Sequence, residues 1–284
     1  MNLDDDLTRL RGLERATLTA CKVCSDAKCL QSVLDPEYMR LRMSMVDTFA
    51  RVAFKHGLWW ETVEYAIAWS DTCRARDKPS ARLPVYLAAI ACLSLAIKYT
   101  TMKKIKHRQL MVQCEYNLDT LWGSTTEPHK FKFTGAQIAA AEYHVAAVLE
   151  WTMGAAIPSR FLEVLFAKHT QASDDAGQGR ALRRWQTAKD LCKIGVFHGL
   201  SCAHGDSVLA AACIATTHSL ADAADVAHGD SVLAAASIAT THSLADAADV
   251  AHEAELRACV LELKRAALAP TRRLVALDLH SPIP

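Results

Sequence analysis

The stretch from Pro84 to Lys98 offers no polar face. Tyr86, Leu87, Ala88, Ala89, Ile90, Ala91, Cys92, Leu93, Leu95, Ala96 and Ile97 follow one another with only Ser94 among them. A helix that is apolar all round cannot lie on a surface. It has to run through the middle of a bundle, with neighbours on every side. Its alanines let those neighbours approach closely. Pro84 suits the first turn, where a missing N–H has no partner in any case. The apolar run from Leu83 to Ile97 is too short to span a bilayer and stops at Lys98, so no membrane partner is expected.

The rest of the chain supports an all-α class. Of its 284 residues, 51% are hydrophobic and 22% charged, a globular and not a disordered balance. Gly and Pro are sparse, which favours long helices. No run of alternating β-branched residues argues for a strand. Residues 3–20 read as an amphipathic helix, with Asp4, Asp5 and Asp6 in the first turn, where the helix dipole favours negative charge. A second helix over 36–56 follows Asp35-Pro36 and ends at Gly57, with Leu41, Met45, Phe49 and Val52 on one stripe. A third runs over 61–74, with Val63, Ile67 and Ser70 inward. Residues 105–119 are predicted to be helical. Thr134 and Gln137 have capping-box spacing at the start of a helix that carries Ile138, Glu142, Val145 and Leu149. Further helices are expected at 160–169, 179–198, 206–222 and 252–268. Pro158-Ser159 marks the break between two helical halves.

Charge and cysteine usage exclude several function classes. A net charge of +1 argues against a broad phosphate-binding surface and therefore against nucleic acid as a partner. The basic stretch Lys103, Lys104, Lys106, His107 and Arg108 reads as one solvated face. Asp4 to Asp6 predict neither a signal nor a transit peptide. Most of the ten cysteines sit in apolar helical patterns, as Cys92, Cys192 and Cys259 do. That usage fits reduced thiols in the nucleus or cytoplasm. Cys21, Cys24 and Cys29 lack a fourth ligand nearby, so no metal site is expected. No Gly-rich phosphate loop after a strand, nucleophile elbow or complete metal set is present, so neither catalytic residues nor cofactors are expected.

The second half contains a near-perfect repeat. Residues 203–226 read AHGDSVLAAACIATTHSLADAADV, and residues 227–250 repeat them with one change, Cys213 becoming Ser237. Two copies are too few for a solenoid, and the copies have barely drifted. A recent tandem duplication, or an error in the gene sequence, is the simpler account. Each copy reads as one helix, capped by Asp206 or Ser207, with Val208, Leu209, Ala212 and Leu220 on its apolar face. The pairs His218/Asp222 and His242/Asp246 stand one turn apart and read as surface or capping residues. One copy is expected to fill the core and the other to be displaced or peripheral.

Several segments of the first half carry a resemblance in their order and spacing. They are Leu41-Arg42-Met43-Ser44-Met45-Val46-Asp47, Glu61-Thr62-Val63 leading to Asp71, Ala91 to Lys98, and Phe133-Thr134 to Glu142. Together they resemble the cyclin box, the helical domain with which cyclins grip and activate a protein kinase. The resemblance implies two cyclin-like helical bundles: a segment over 1–35, an N-terminal box over 36–154, and a weaker C-terminal domain over 155–284 with one helix duplicated. It implies that Arg42 and Asp71 form the structural ion pair of the box. Losing one partner of a buried pair costs about 3–5 kcal/mol. It implies that Lys98 and Glu142 face the kinase, the lysine bonding backbone carbonyls and the glutamate backbone N–H groups.

The resemblance further implies a regulatory subunit with no chemistry of its own. It would hold the regulatory helix of a cyclin-dependent kinase inward, in cell-cycle control. The sequence departs from the family at Thr100 and Thr101, where acidic residues are usual, at Thr72, where an arginine is, and at Thr48, which replaces a groove tryptophan. Leu41, Met45 and Thr48 are thus expected to leave a shallow docking groove for kinase substrates or inhibitors. The competing readings are a helical adaptor and a transcription-related cyclin-like protein without kinase activation. The latter predicts a basic face and a complete zinc ribbon.

Overall fold

A computed structural model describes residues 3–23, 35–76, 84–101, 105–106, 109–110, 133–170, 178–226 and 250–268. Every regular element among them is an α-helix, so the class is all-α. The chain divides into two compact units, Arg15–Ile157 and Met1–Glu14 with Pro158–Pro284. The boundary between them falls after Glu14, within the segment 1–35. The amphipathic pattern of α1 (Leu3–Val23) announces an apolar face, but not which helices cover it.

In the unit Arg15–Ile157, α2 (Pro36–His56) begins with the Asp35 side chain accepting from the Glu37 N–H. It ends at Gly57, whose left-handed backbone (φ 56°) returns its N–H to the Ala53 and Phe54 carbonyls. α3 (Trp60–Arg76) packs against α2 and α4 (Val85–Thr100), and α4 packs between α3 and α5 (Gly135–Val148). Ala91, Cys92, Leu93 and Ala96 of α4 are sealed from solvent, as an all-round apolar helix requires. α5 opens with a capping box: Thr134 Oγ1 accepts from the Gln137 N–H at 3.2 Å, and Gln137 Oε1 from the Thr134 N–H at 2.8 Å. The helix stops where Glu150 and Trp151 turn left-handed (φ 53° and 59°). Trp151 then folds back edge-on against Tyr143. The helix expected over 105–119 lies largely outside the described residues.

In the other unit, α9 (Asp206–Val226) is the hub. It touches α6 (Pro158–Thr170), α7 (Gln178–Phe197), α8 (Leu200–His204) and α10 (Val250–Leu268). This helix is the first copy of the repeat. Val208, Leu209, Ala210, Ala212, Cys213 and Ile214 are all buried. Leu209 lies against Gly195 of α7, where an added Cβ would meet Leu209 Cδ1 at 2.4 Å, so the absence of a side chain sets how closely the helices approach. The Ser207 N–H at the start of α9 donates to Glu14 Oε1 at 2.9 Å, placing a carboxylate at the positive end of the helix. Asp4 of the same N-terminal segment pairs with Lys168. Burial pushes the Cys259 thiol of α10 up to about 12, with nearby Cys213 adding to the shift. The second copy, with His242 and Asp246, lies outside the described residues.

Candidate functional site

Two ion pairs in the unit Arg15–Ile157 share one design. In the first, Arg42 of α2 donates through Nε to both Asp71 oxygens, at 3.2 and 3.0 Å, and Tyr38 Oη donates to Asp71 Oδ1 at 2.8 Å. Tyr38 and Arg42 stand four residues apart, so one helix face presents a hydroxyl and a cation together to a carboxylate on α3. The Arg42 side chain is 0% exposed and that of Asp71 13%. Arg74, three residues beyond Asp71, lies over the Tyr38 ring at 5.4 Å. A charge sealed this completely stays charged only while its partners remain.

The second pair repeats the pattern at the other end of the bundle core. Lys98 Nζ of α4 donates to Glu142 Oε2 of α5 at 2.5 Å, and Ser94 Oγ donates to Glu142 Oε1 at 2.5 Å. Ser94 and Lys98 are again four residues apart on one helix. Here the exposure is reversed. The Glu142 side chain is 11% exposed and that of Lys98 54%. Glu142 is thus a nearly buried anchor with both oxygens engaged, and the lysine carries the charge to the surface. An ammonium has three N–H donors, so a lysine giving one to Glu142 can offer others outward.

The surroundings of this second pair are both braced and apolar. Tyr99, next to Lys98, packs edge-on against Tyr65 and Trp69 at 5.1 and 5.7 Å. Thr100 Oγ1 donates to the Ala96 carbonyl and meets Thr62 Oγ1 at 2.7 Å, which ties the end of α4 to α3. Tyr143, next to Glu142, is well exposed. Burial pushes the Tyr86 hydroxyl at the other end of α4 up to about 12, so it stays neutral.

The structure brings Arg42 to Asp71 and Lys98 to Glu142. Lys98 and Glu142, expected to face a kinase, pair with one another. Leu41, Met45 and Thr48, expected to line a shallow docking groove, are buried in α2. Tyr38 and Ser94 were missed as ligands of the two carboxylates. Their i−4 spacing from Arg42 and Lys98 is the signal that could have found them.

Among the described residues, no group of three or more His, Cys, Asp or Glu side chains could hold a metal ion. Cys24 and Cys29 lie outside them. Among the same residues, no helix is long and apolar enough to cross a membrane. No protein-family model matches the chain, and no curated protein matches it in sequence.

Proposed function

We propose that the chain is a regulatory subunit that binds a cyclin-dependent protein kinase and holds it in its active state, with Lys98 and Glu142 at the centre of the contact. The observation that carries this reading is the half-exposed Lys98, fixed by a nearly buried glutamate near the end of the all-round apolar helix α4. A cation whose position is set before binding loses little freedom when it meets a backbone carbonyl, and the resulting bond is charge-assisted. Tyr99 and Tyr143 beside the pair add exposed aromatic surface, which is common at protein interfaces. On this reading the protein biases a two-state kinase and performs no chemistry itself, and it works in the nucleus or cytoplasm, where such kinases act.

The test uses a charge exchange. Lys98→Glu combined with Glu142→Lys keeps an opposite-charge pair inside the protein and reverses the charge offered to a partner. Purified wild-type protein should recover histone-kinase activity from a eukaryotic lysate, and the exchanged protein should recover at least about tenfold less while remaining helical. Full recovery by the exchanged protein would mean that the pair serves only the fold. A folded wild-type protein that captures no kinase would favour the helical adaptor.

A further inference from the structure

Residues Leu3 to Glu14 belong to one unit with Pro158–Pro284, although the rest of the first half of the chain does not. Leu3, Asp6, Leu7, Leu10, Leu13 and Glu14 recur at spacings of three and four, so they share one face of α1. Leu10 is 5% exposed, and Leu3, Leu7 and Leu13 are half-buried; Asp5, Thr8, Arg9 and Arg11 are exposed. Both ends of the segment are held by polar contacts. Asp4 pairs with Lys168 near the end of α6, and Glu14 Oε1 accepts from the Ser207 N–H in the first turn of α9. The ten residues of helix between Asp4 and Glu14 span about 15 Å. Gly205, ahead of α9, has a φ of 89°, and an added Cβ there would come within 3.0 Å of Glu14 Oε1. The bare backbone at Gly205 thus leaves room for a carboxylate. The seat under α1 is defined by a cation at one end, the positive end of α9 at the other, and apolar contact between them.

The chain's own segment fits this seat imperfectly. Asp6 interrupts the leucine face. Its side chain is 19% exposed, and its Oδ1 lies 3.8 Å from Arg9. Its Oδ2 is buried and meets no donor among the described residues. A carboxylate oxygen in that position loses its water and gains no bond. Gly12 stands in the interior of α1, where an added Cβ would meet nothing within 4 Å among the described residues. No neighbour requires a glycine there, so it only weakens the helix. The pair of Asp4 with Lys168 is exposed, 75% and 38%, and holds the segment weakly.

We infer that this seat is a docking site for an acidic amphipathic helix of a partner protein, with Leu3–Glu14 as a resident occupant that such a helix displaces. What the seat already holds defines the partner. It carries large apolar side chains at three- and four-residue spacing, an acidic residue toward Lys168, and a second carboxylate as far along as Glu14 is from Asp4. Charge complementarity fixes its direction, because the carboxylate at its far end meets the N–H groups and positive dipole of α9. A helix that keeps these features and lacks the buried acid and the glycine binds better than the resident does. The incoming helix meets only those chains whose seat is open, so its apparent affinity is lowered by that fraction. None of the residues involved belongs to the unit Arg15–Ile157, so the seat stands or falls apart from the kinase contact.

The probe is a fluorescent peptide with the sequence of residues 3–14 carrying Asp6→Leu and Gly12→Ala, and its anisotropy is read on the full-length protein. Three chains are compared: the parent, a locked chain that itself carries Asp6→Leu and Gly12→Ala, and a loosened chain that carries Leu10→Asp. The loosened chain should bind the probe at least about tenfold more tightly than the parent, and the locked chain at least about tenfold more weakly. The same probe with Leu10→Asp added should bind none of them. The locked chain gains helix propensity and keeps every residue of 158–284, so the comparison with the parent holds even where Leu10→Asp disturbs folding. Equal affinity of the parent and locked chains for the probe overturns the docking site. So does a folded, loosened chain that leaves the probe free. A parent that forms dimers by light scattering, lost on Leu10→Asp, would overturn the choice of partner and give the seat to a second copy of this chain.

Discussion

The two clasps of the unit Arg15–Ile157 hold a carboxylate in the same way and leave the cation in opposite places. Tyr38 and Arg42 close on Asp71 with the guanidinium fully buried; Ser94 and Lys98 close on Glu142 with the ammonium half in water. The choice of cation fits the site. A planar guanidinium can satisfy both carboxylate oxygens and tolerates removal from water better than an ammonium does, whereas lysine carries a compact charge out on a flexible stem. A cation with no access to solvent can serve only the fold. One held at the surface by a buried anchor can serve the fold and a partner together.

The first way to break this comparison is to remove the buried cation. Arg42→Met leaves Asp71 with the Tyr38 hydroxyl but without its cation. The expected loss is about 3–5 kcal/mol of unfolding free energy, read from urea melts. Arg42→Met with Asp71→Leu should recover a large part of it, because a buried pair replaced by apolar groups of similar size is often near neutral. If the single variant loses less than about 1 kcal/mol, the distinction between the two clasps collapses.

Removing the second anchor should cost less. Glu142→Ala takes away the acceptor of Ser94, which then lies buried without it, while Lys98 can turn to water. About 1–3 kcal/mol is expected. Kinase recovery should fall with it, because Lys98 is no longer held. Tyr38→Phe and Ser94→Ala each delete one hydroxyl and keep the ion pair. Each should cost about 1 kcal/mol. Agreement between these two would show that the hydroxyls play equivalent parts, which leaves the cations as the difference.

Much of the architecture was legible from local pattern, because local pattern is what it rests on. The all-round apolar stretch before Lys98 had to be central, Gly57 had to end α2, and Thr134 with Gln137 had to open α5. What could not be read was which faces meet. A heptad of α2 shows that Leu41 and Met45 share a stripe, but not that the stripe is sealed. The sequence separation of 44 residues between Lys98 and Glu142 carries no trace of the 2.5 Å contact between them. For the same reason the apolar face of α1 did not reveal that the segment up to Glu14 belongs with residues 158–284. The repeat was plain in the sequence; that the helix of its first copy is the hub of its unit was not.

The smallest expected effect on stability is the most informative one. Lys98→Met keeps an unbranched side chain of similar length and removes the charge. The ammonium of Lys98 is half in water, so its pair with Glu142 is screened and should contribute no more than about 1 kcal/mol. Ser94 still satisfies Glu142 Oε1, so the anchor is not stranded. Chemically the substitution matches Arg42→Met, and the stability loss should be several-fold smaller. Its effect on kinase recovery should nevertheless be large, at least about tenfold, because the deleted group is the one that can donate outward. A protein that melts like the wild type and no longer captures the kinase would separate the two clasps by function as well as by burial. One that melts like the wild type and captures the kinase undiminished would place the contact elsewhere on the surface and leave both clasps as features of the fold.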